Sequence, residues 1–424
     1  MIRPERYSKT LKGEILSRRR EEKSSVQETV KEIIEQVRER GDEALYRYTR
    51  EFDKADIGDL KVGAEEIGEA LAATEKEYVS ILKEAAKNIA AFHEKQKTEG
   101  FETDFGGKVL GQKVTPLGSV GIYVPGGTAA YPSTVLMNAV PAKVAGVKKI
   151  VMVTPPGKDG KIRAEVLAAA AIAGVDEIYK VGGAQAIAAL AYGTESVPAV
   201  DKITGPGNRY VAEAKRQVYG VCGIDMIAGP SEILIIADDG ADAELVAADM
   251  LSQAEHDRQA AAVLVTDSAR LAGEVDAALE RRVGALSRAE IAKDSLKNNG
   301  RIIVAANLDE AAEISDALAP EHLELCVKEP WKLFGKIQNA GSVFLGYDTP
   351  EAAGDYFAGT NHTLPTGGSA RYASALGVGD FVKTVQYIYY EKSALEREGE
   401  QIVKFAQSEG LGAHAESVEA RLRK

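Results

Sequence analysis

The octapeptide Leu-Ser-Gln-Ala-Glu-His-Asp-Arg at 251–258 closes an apolar helical run at 241–250 and sets Gln253 three residues before His256. Residues at i and i+3 share one face of a helix. An amide oxygen and an imidazole nitrogen therefore project from one rigid element toward one spot. Both are metal-ligand atoms, and neutral imidazole is the commonest of all. Taken alone, this piece is explained equally well as an exposed helix end that is polar by default.

Three further pieces carry similar chemistry. Ala-Pro-Glu-His-Leu-Glu at 319–324 places Glu321 beside His322 between a helix and a strand. A carboxylate next to an imidazole offers two proton-transfer groups that can serve different steps, and incidental loop polarity is the lesser reading. Gly-Asp-Tyr-Phe-Ala-Gly-Thr-Asn-His-Thr-Leu-Pro-Thr at 354–366 offers Asp355 as a hard oxygen ligand and His362 as a further donor. That stretch is too rich in Gly and Pro for a regular element. Glu-Gly-Leu-Gly-Ala-His-Ala at 409–415 sets Glu409 and His414 around a glycine turn.

Gln253, His256, Asp355 and His414 together supply two nitrogens and two oxygens. This donor set suits Zn²⁺ or another first-row divalent ion and leaves positions open to a substrate. The pieces are remote in sequence and no His-Glu-x-x-His motif exists, so spacing alone does not unite them. His93, within Phe-His-Glu-Lys at 92–95, reads as a surface residue of a charged helix. The other four histidines fall where elements give way to loops or termini, and α/β sheets bind ligands at the carboxyl ends of their strands. Cys326 sits on a strand expected to be buried, where cysteine behaves as a small apolar side chain and not as a nucleophile.

The elements that must position these groups follow from hydrophobic spacing. Helical patterns at 24–50 and 64–97 predict a hairpin covering one side of a sheet. After Gly100 come Gly-punctuated strand patterns at 109–114 and 118–124. Strand candidates at 150–153, 177–181, 202–203, 233–237, 262–266, 301–305, 323–327 and 342–345 then alternate with helical runs. This rhythm predicts an α/β fold with two Rossmann-like parallel sheets. No Gly-x-Gly-x-x-Gly leads a strand into a helix, so the dinucleotide fingerprint is absent. Candidate phosphate-binding turns are instead Tyr-Val-Pro-Gly-Gly at 123–127, Gly-Gly-Ala-Gln at 182–185 and Gly-Pro-Gly-Asn at 205–208; plain tight turns explain them as well. The expected domains are an N-terminal helical arm at 1–22, a discontinuous α/β domain at 23–122 with 233–376, a second α/β domain at 123–232, and a tail at 377–424. The tail is too small and polar to hold its own core and is expected to pack on a partner subunit.

The totals narrow the function classes. A net charge of −12 supplies no basic footprint for nucleic acid. Two cysteines in 424 residues exclude a disulfide framework and a cysteine-type zinc site. With no membrane-length apolar run and a polar start, the chain is expected to be cytoplasmic.

These motifs, joined by Gly-Ile-Tyr-Val-Pro-Gly-Gly at 121–127, Ala-Gly-Pro-Ser-Glu at 228–232 and the segments already quoted, resemble those of the histidinol dehydrogenase family along essentially the whole chain. The resemblance implies oxidation of L-histidinol to L-histidine in two NAD-dependent steps through an aldehyde held on the enzyme. It implies Gln253, His256, Asp355 and His414 as zinc ligands, His322 as general base and Glu321 as the group that activates water. Ser231, His362 and Glu409 would contact substrate along with the ligand residues and His322. Tyr123, Gln185 and Asn208 would contact NAD. A domain-swapped homodimer would carry Glu409 and His414 to the neighbour's site. Against this stand a relative acting on another small alcohol, a zinc hydrolase that binds no nucleotide, and a non-catalytic binding protein.

Overall fold

The computed structural model describes residues 2–8, 26–126 and 130–423. Most of the expected N-terminal arm, and Gly127 of the first glycine-rich turn, lie outside them. The described residues divide into two compact units, 1–96 with 117–381 and 97–116 with 382–424.

The larger unit holds two parallel sheets. The first contains β4 (Ser119–Tyr123), β5 (Lys149–Thr154), β6 (Glu177–Lys180), β7 (Lys202–Thr204) and β8 (Gly223–Ile224), in the order β6-β5-β4-β7-β8. Its strands are apolar runs without polar alternation because helices cover both faces. Val151 and Val153 face one core, with Tyr123, Ile187 and Ile203. Ile150 and Met152 face the other, with Leu136 and Leu167.

The N-terminal helices do not form one covering hairpin. Helix Gln27–Arg40 buries Val30, Ile33 and Ile34 in the first core. Helix Lys76–Glu94 buries Leu82, Ala85 and Ile89 in the second. Both therefore belong to the sheet at 119–224, and the boundary expected at 122 cuts through its central strand. Sequence periodicity reports which face of a helix is buried but not which sheet buries it.

The second sheet contains β1 (Glu5–Arg6), β9 (Glu232–Ala237), β10 (Ala261–Thr266), β11 (Arg301–Val304), β12 (His322–Cys326) and β13 (Ser342–Leu345), in the order β1-β11-β10-β9-β12-β13. Glu5 pairs opposite Ile303 and Arg6 opposite Val304. The first described residues thus form an edge strand where a helical arm was expected. Ile233, Ile235 and Leu264 pack under helices Ala243–Ala254 and Ala269–Arg282 on one face. Leu234, Ile236, Leu323 and Leu325 pack on the other, with Ile314 of helix Leu308–Leu318.

The smaller unit is built on an antiparallel sheet of β2 (Phe101–Asp104), β3 (Lys108–Pro116) and β14 (Val382–Tyr390), in the order β14-β3-β2. Val382 lies opposite Pro116 and Tyr390 opposite Lys108. Residues 101–116, expected in the first α/β domain, are therefore the pairing partners of the tail. Residues 377–381 instead belong to the larger unit, where Phe381 is fully buried. Helices Lys392–Ser408 and Gly412–Leu422 complete the smaller unit and bury only small side chains, Ala394, Gly399, Val403 and Ala415. Val385, Ile388, Tyr389 and Phe405 are exposed.

Candidate active site

The two parallel sheets present opposite edges to chemistry. In the second sheet the strand order turns between β9 and β12. His322 is the first residue of β12, opposite Ile233 of β9 and Ser342 of β13. This is the amino end of the strand, not the carboxyl end where the sequence placed ligand-binding histidines. Ala319 ends the preceding helix in a left-handed conformation with φ 48°, a region L residues rarely adopt. Gly341 N then donates to Pro320 O at 2.9 Å and Ser342 N to Glu321 O at 2.9 Å, fixing the backbone that carries the pair. A Cβ on Gly341 would stand 2.5 Å from Glu321 O, so only glycine permits this approach.

His322 is buried. Its Nδ1 lies 3.2 Å from the carbonyl oxygen of Glu232 and 3.8 Å from Glu321 Oε2. Its Nε2 lies 3.5 Å from Asp355 Oδ1 and 3.6 Å from Glu351 Oε1. Burial alone would lower the imidazole pKa, but Glu321, Glu351 and Asp355 outweigh it and hold the value up at about 10. The converse holds for Asp355: burial works against its charge, yet His322, His362 and His256 keep its carboxyl below the usual range. Burial drives Glu321 up to about 8, although its Oε2 accepts from Glu232 N at 2.9 Å. Burial likewise lifts Glu232 and Glu351 to about 7.

Glu351 escaped the sequence reading. It opens helix Glu351–Tyr356 and looks like an ordinary first-turn acid. Only its i, i+4 spacing from Asp355 signals a shared helix face. His322, Glu351 and Asp355 bring one donor atom each within 4.8 Å of one another, a cluster with metal-ligand chemistry. Glu232 was missed because it reads as the first residue of a strand.

His256, Ser231, His322, Asp355 and His362 line one cleft of about 1780 Å³. His256 follows helix Ala243–Ala254, and its N–H donates to Gln253 O at 3.2 Å. Burial lowers the pKa of both His256 and His362, leaving neutral imidazoles. His362 Nε2 is buried without a hydrogen-bond partner among the described residues. Gln253 is fully buried. Glu409 ends helix Lys392–Ser408 and His414 lies in helix Gly412–Leu422; both are exposed residues of the smaller unit.

His93 is a correction. It is fully buried, with Nδ1 2.7 Å from Ile89 O and Nε2 3.5 Å from Asn361 Nδ2. It continues the inward face of Leu82, Ala85 and Ile89, a spacing the sequence displayed. Cys326 is buried as expected, and burial pushes its thiol up, away from reactivity.

The glycine-rich turns gather at the carboxyl edge of the first sheet, whose order turns between β4 and β7. Open α/β sheets bind ligands in such a crevice. Tyr123 ends β4, and its hydroxyl accepts from Gly183 N at 3.1 Å. Gln185, in helix Gly183–Tyr192, is buried with neither amide atom partnered among the described residues. Asn208 caps helix Arg209–Val218, accepting from Tyr210 N at 2.9 Å and Val211 N at 3.2 Å. Asn208 lines the same cleft as His322.

Among the described residues, no helix is long and apolar enough to cross a membrane. A sequence model described as histidinol dehydrogenase matches residues 16–422. The chain is 54% identical over 398 residues to a histidinol dehydrogenase of Bacillus thuringiensis subsp. konkukian, covering 94% of this chain and 92% of the relative. It is 55% identical over 414 residues to one of Syntrophotalea carbinolica, covering 97% and 96%. The crystal structure of histidinol dehydrogenase from Elizabethkingia anophelis superposes with a TM-score of 0.95 at 38% identity, covering 100% of this chain and 98% of that one.

Proposed function

This chain belongs to the histidinol dehydrogenase family, and on that premise we propose how its residues divide the oxidation of L-histidinol to L-histidine. The observation that carries the proposal is the Glu321–His322 pair, buried at the start of one strand with His322 Nδ1 directed at the Glu232 carbonyl. With that nitrogen engaged, Nε2 is the one presented to a substrate hydroxyl. His322 takes the alcohol proton as hydride leaves the carbon, giving the aldehyde. Glu321, as carboxylate, removes a proton from the water that adds to the aldehyde, and the second hydride departs from that hydrate to leave the carboxylic acid, which loses its remaining proton to solvent. Two differently placed bases suit two successive proton removals.

The residues fit the two groups the family uses. Gln253, His256, Asp355 and His414 would hold Zn²⁺, which supplies orientation and polarisation of the bound substrate. His256 and Asp355 already favour the neutral and ionised forms that metal ligation requires. Engagement of Asp355 by a cation would also remove one of the carboxylates that keep His322 protonated. Ser231, His362 and Glu409 would contact substrate; the unpartnered His362 Nε2 supports this role.

Tyr123, Gln185 and Asn208 would contact NAD, the hydride acceptor in both steps. The unpartnered amide of Gln185 at the glycine-rich edge supports that placement. The smaller unit would cross to a second copy in a homodimer and deliver Glu409 and His414, consistent with its few small buried residues and its exposed Val385, Ile388 and Phe405. The setting would be cytoplasmic.

The test is turnover of L-histidinol with NAD⁺ by the purified protein. Two reduced nicotinamides per histidine formed are expected. Turnover of other primary alcohols but not histidinol would favour the relative of different specificity, and absence of nucleotide reduction would overturn the reading.

A further inference from the structure

A charge pair lies beneath the Gly205–Asn208 turn with no part in the chemistry described so far. Lys215, in helix Arg209–Val218, and Asp225, just after β8, form an ion pair whose side chains are 2% and 1% exposed. A lysine is almost never so deeply buried unless paired. Both partners reach the same residue. Lys215 Nζ donates to Gly205 O at 3.0 Å, and Gly205 N donates to Asp225 Oδ2 at 2.7 Å. Asp225 Oδ1 also accepts from Met226 N at 2.6 Å.

Gly205 sits in a conformation and a space that only glycine readily takes. Its φ is +113°, and a Cβ there would stand 2.2 Å from the carbonyl oxygen of Tyr123. The turn is thus drawn against the end of β4, across the crevice where the strand order reverses. Three residues on, Asn208 faces the cleft. An apolar pair of similar volume often stabilises a core as well as a buried ion pair does, so stability alone does not account for these charges. A geometric task does: donor and acceptor bind the N–H and C=O of one glycine from below.

We propose that Lys215 and Asp225 are positioning residues for the cofactor, clamping Gly205 so that the turn to Asn208 keeps the shape that receives the nucleotide. This rests on the placement of NAD at the carboxyl edge of the first sheet. Being so deeply buried, the pair would touch neither cofactor nor substrate. Its loss therefore acts on nucleotide affinity and spares the metal and histidinol sites.

The experiment compares wild type with the double variant K215M/D225N, which removes both charges while keeping volume and one acceptor. It is run alongside D225E, which keeps the pair but lengthens one arm, and Q185A. KM values for NAD⁺ and L-histidinol, kcat, zinc content and melting temperature are measured on each. The clamp predicts a rise of about tenfold or more in KM for NAD⁺ in the double variant and a smaller rise in D225E. Histidinol KM, kcat and zinc content should stay within about twofold. If the double variant does not fold, D225E carries the test. A folded variant with wild-type KM for NAD⁺ overturns the clamp, as does an equal rise in both KM values. If Q185A also leaves NAD⁺ affinity unchanged, the cofactor does not use this edge and the underlying placement fails; if Q185A weakens it while the pair variants do not, only the clamp fails.

Discussion

His322 Nδ1 sits 3.2 Å from the main-chain carbonyl oxygen of Glu232 on the neighbouring strand. A backbone acceptor does not titrate, so it favours a proton on Nδ1 whatever the charge of the neighbouring carboxyls. It leaves Nε2 facing Asp355 and Glu351. The site is thus organised from the sheet outward, and its substitutions can be sorted by which nitrogen they disturb.

His322→Asn would remove the base proposed for the first proton removal. We expect kcat for histidinol to fall by about 10²–10⁴-fold, the usual worth of a positioned base, with metal content unchanged. Glu321→Gln should slow oxidation of supplied histidinaldehyde more than that of histidinol. In the parent, the aldehyde step should quicken as pH rises toward about 8, where burial places the Glu321 carboxyl. Stopped-flow traces of nicotinamide reduction separate the steps; equal losses in both would refute the division.

His256→Asn should lower bound zinc and activity together, because a weak ligand replaces a neutral imidazole. A chelator should inactivate the parent, with recovery on adding Zn²⁺. Elemental analysis of dialysed protein checks both. Full activity without bound metal would exclude the ligand set.

The buried carboxyls make stability pH-dependent. Burial raises the pKa of Glu232, Glu321 and Glu351, and that of Glu324, where Asp249 adds to the shift. Each folded value exceeds the unfolded one, so the folded state holds more protons. The associated stability is present below the unfolded value near 4.5 and is lost as pH rises through the folded values of about 7 to about 9. The melting temperature should therefore fall between about pH 5 and pH 9, and Glu324→Gln should make that slope shallower. A Glu324→Gln slope as steep as the parent's would contradict the role of that carboxyl.

Subunit mixing tests the crossing of the smaller unit. His414→Ala and His322→Asn homodimers should each be inactive. A heterodimer of the two should recover about half of the sites if His414 serves its neighbour, since one site then has both groups intact. No recovery after verified subunit exchange would place His414 in its own chain's site.

Much of the site was legible because its residues sit in compact motifs. Glu321-His322 and His256, which line the cleft, needed no tertiary information to be singled out. Glu351 did need it, since a lone first-turn glutamate has a local explanation until the helix is laid against β12. His93 was misread by weighing its charged neighbours over its i+4 relation to Ile89. The alternation of strands and helices revealed two parallel sheets, whereas the partnership of β3 with β14 is a pairing across more than 260 residues, which no local pattern encodes. The amino-end position of His322 was legible, since it stands just before the strand candidate at 323–327; the general expectation of a carboxyl-edge site overrode it.

The cleft is lined by the carboxyl edge of one sheet, at Asn208, and by the amino edge of the other, at His322. An inhibitor that only mimics the small alcohol would therefore exploit one wall. A longer molecule, with a metal-seeking azole at one end and a flat heteroaromatic tail at the other, could engage both. Its selectivity would come from the span between the walls.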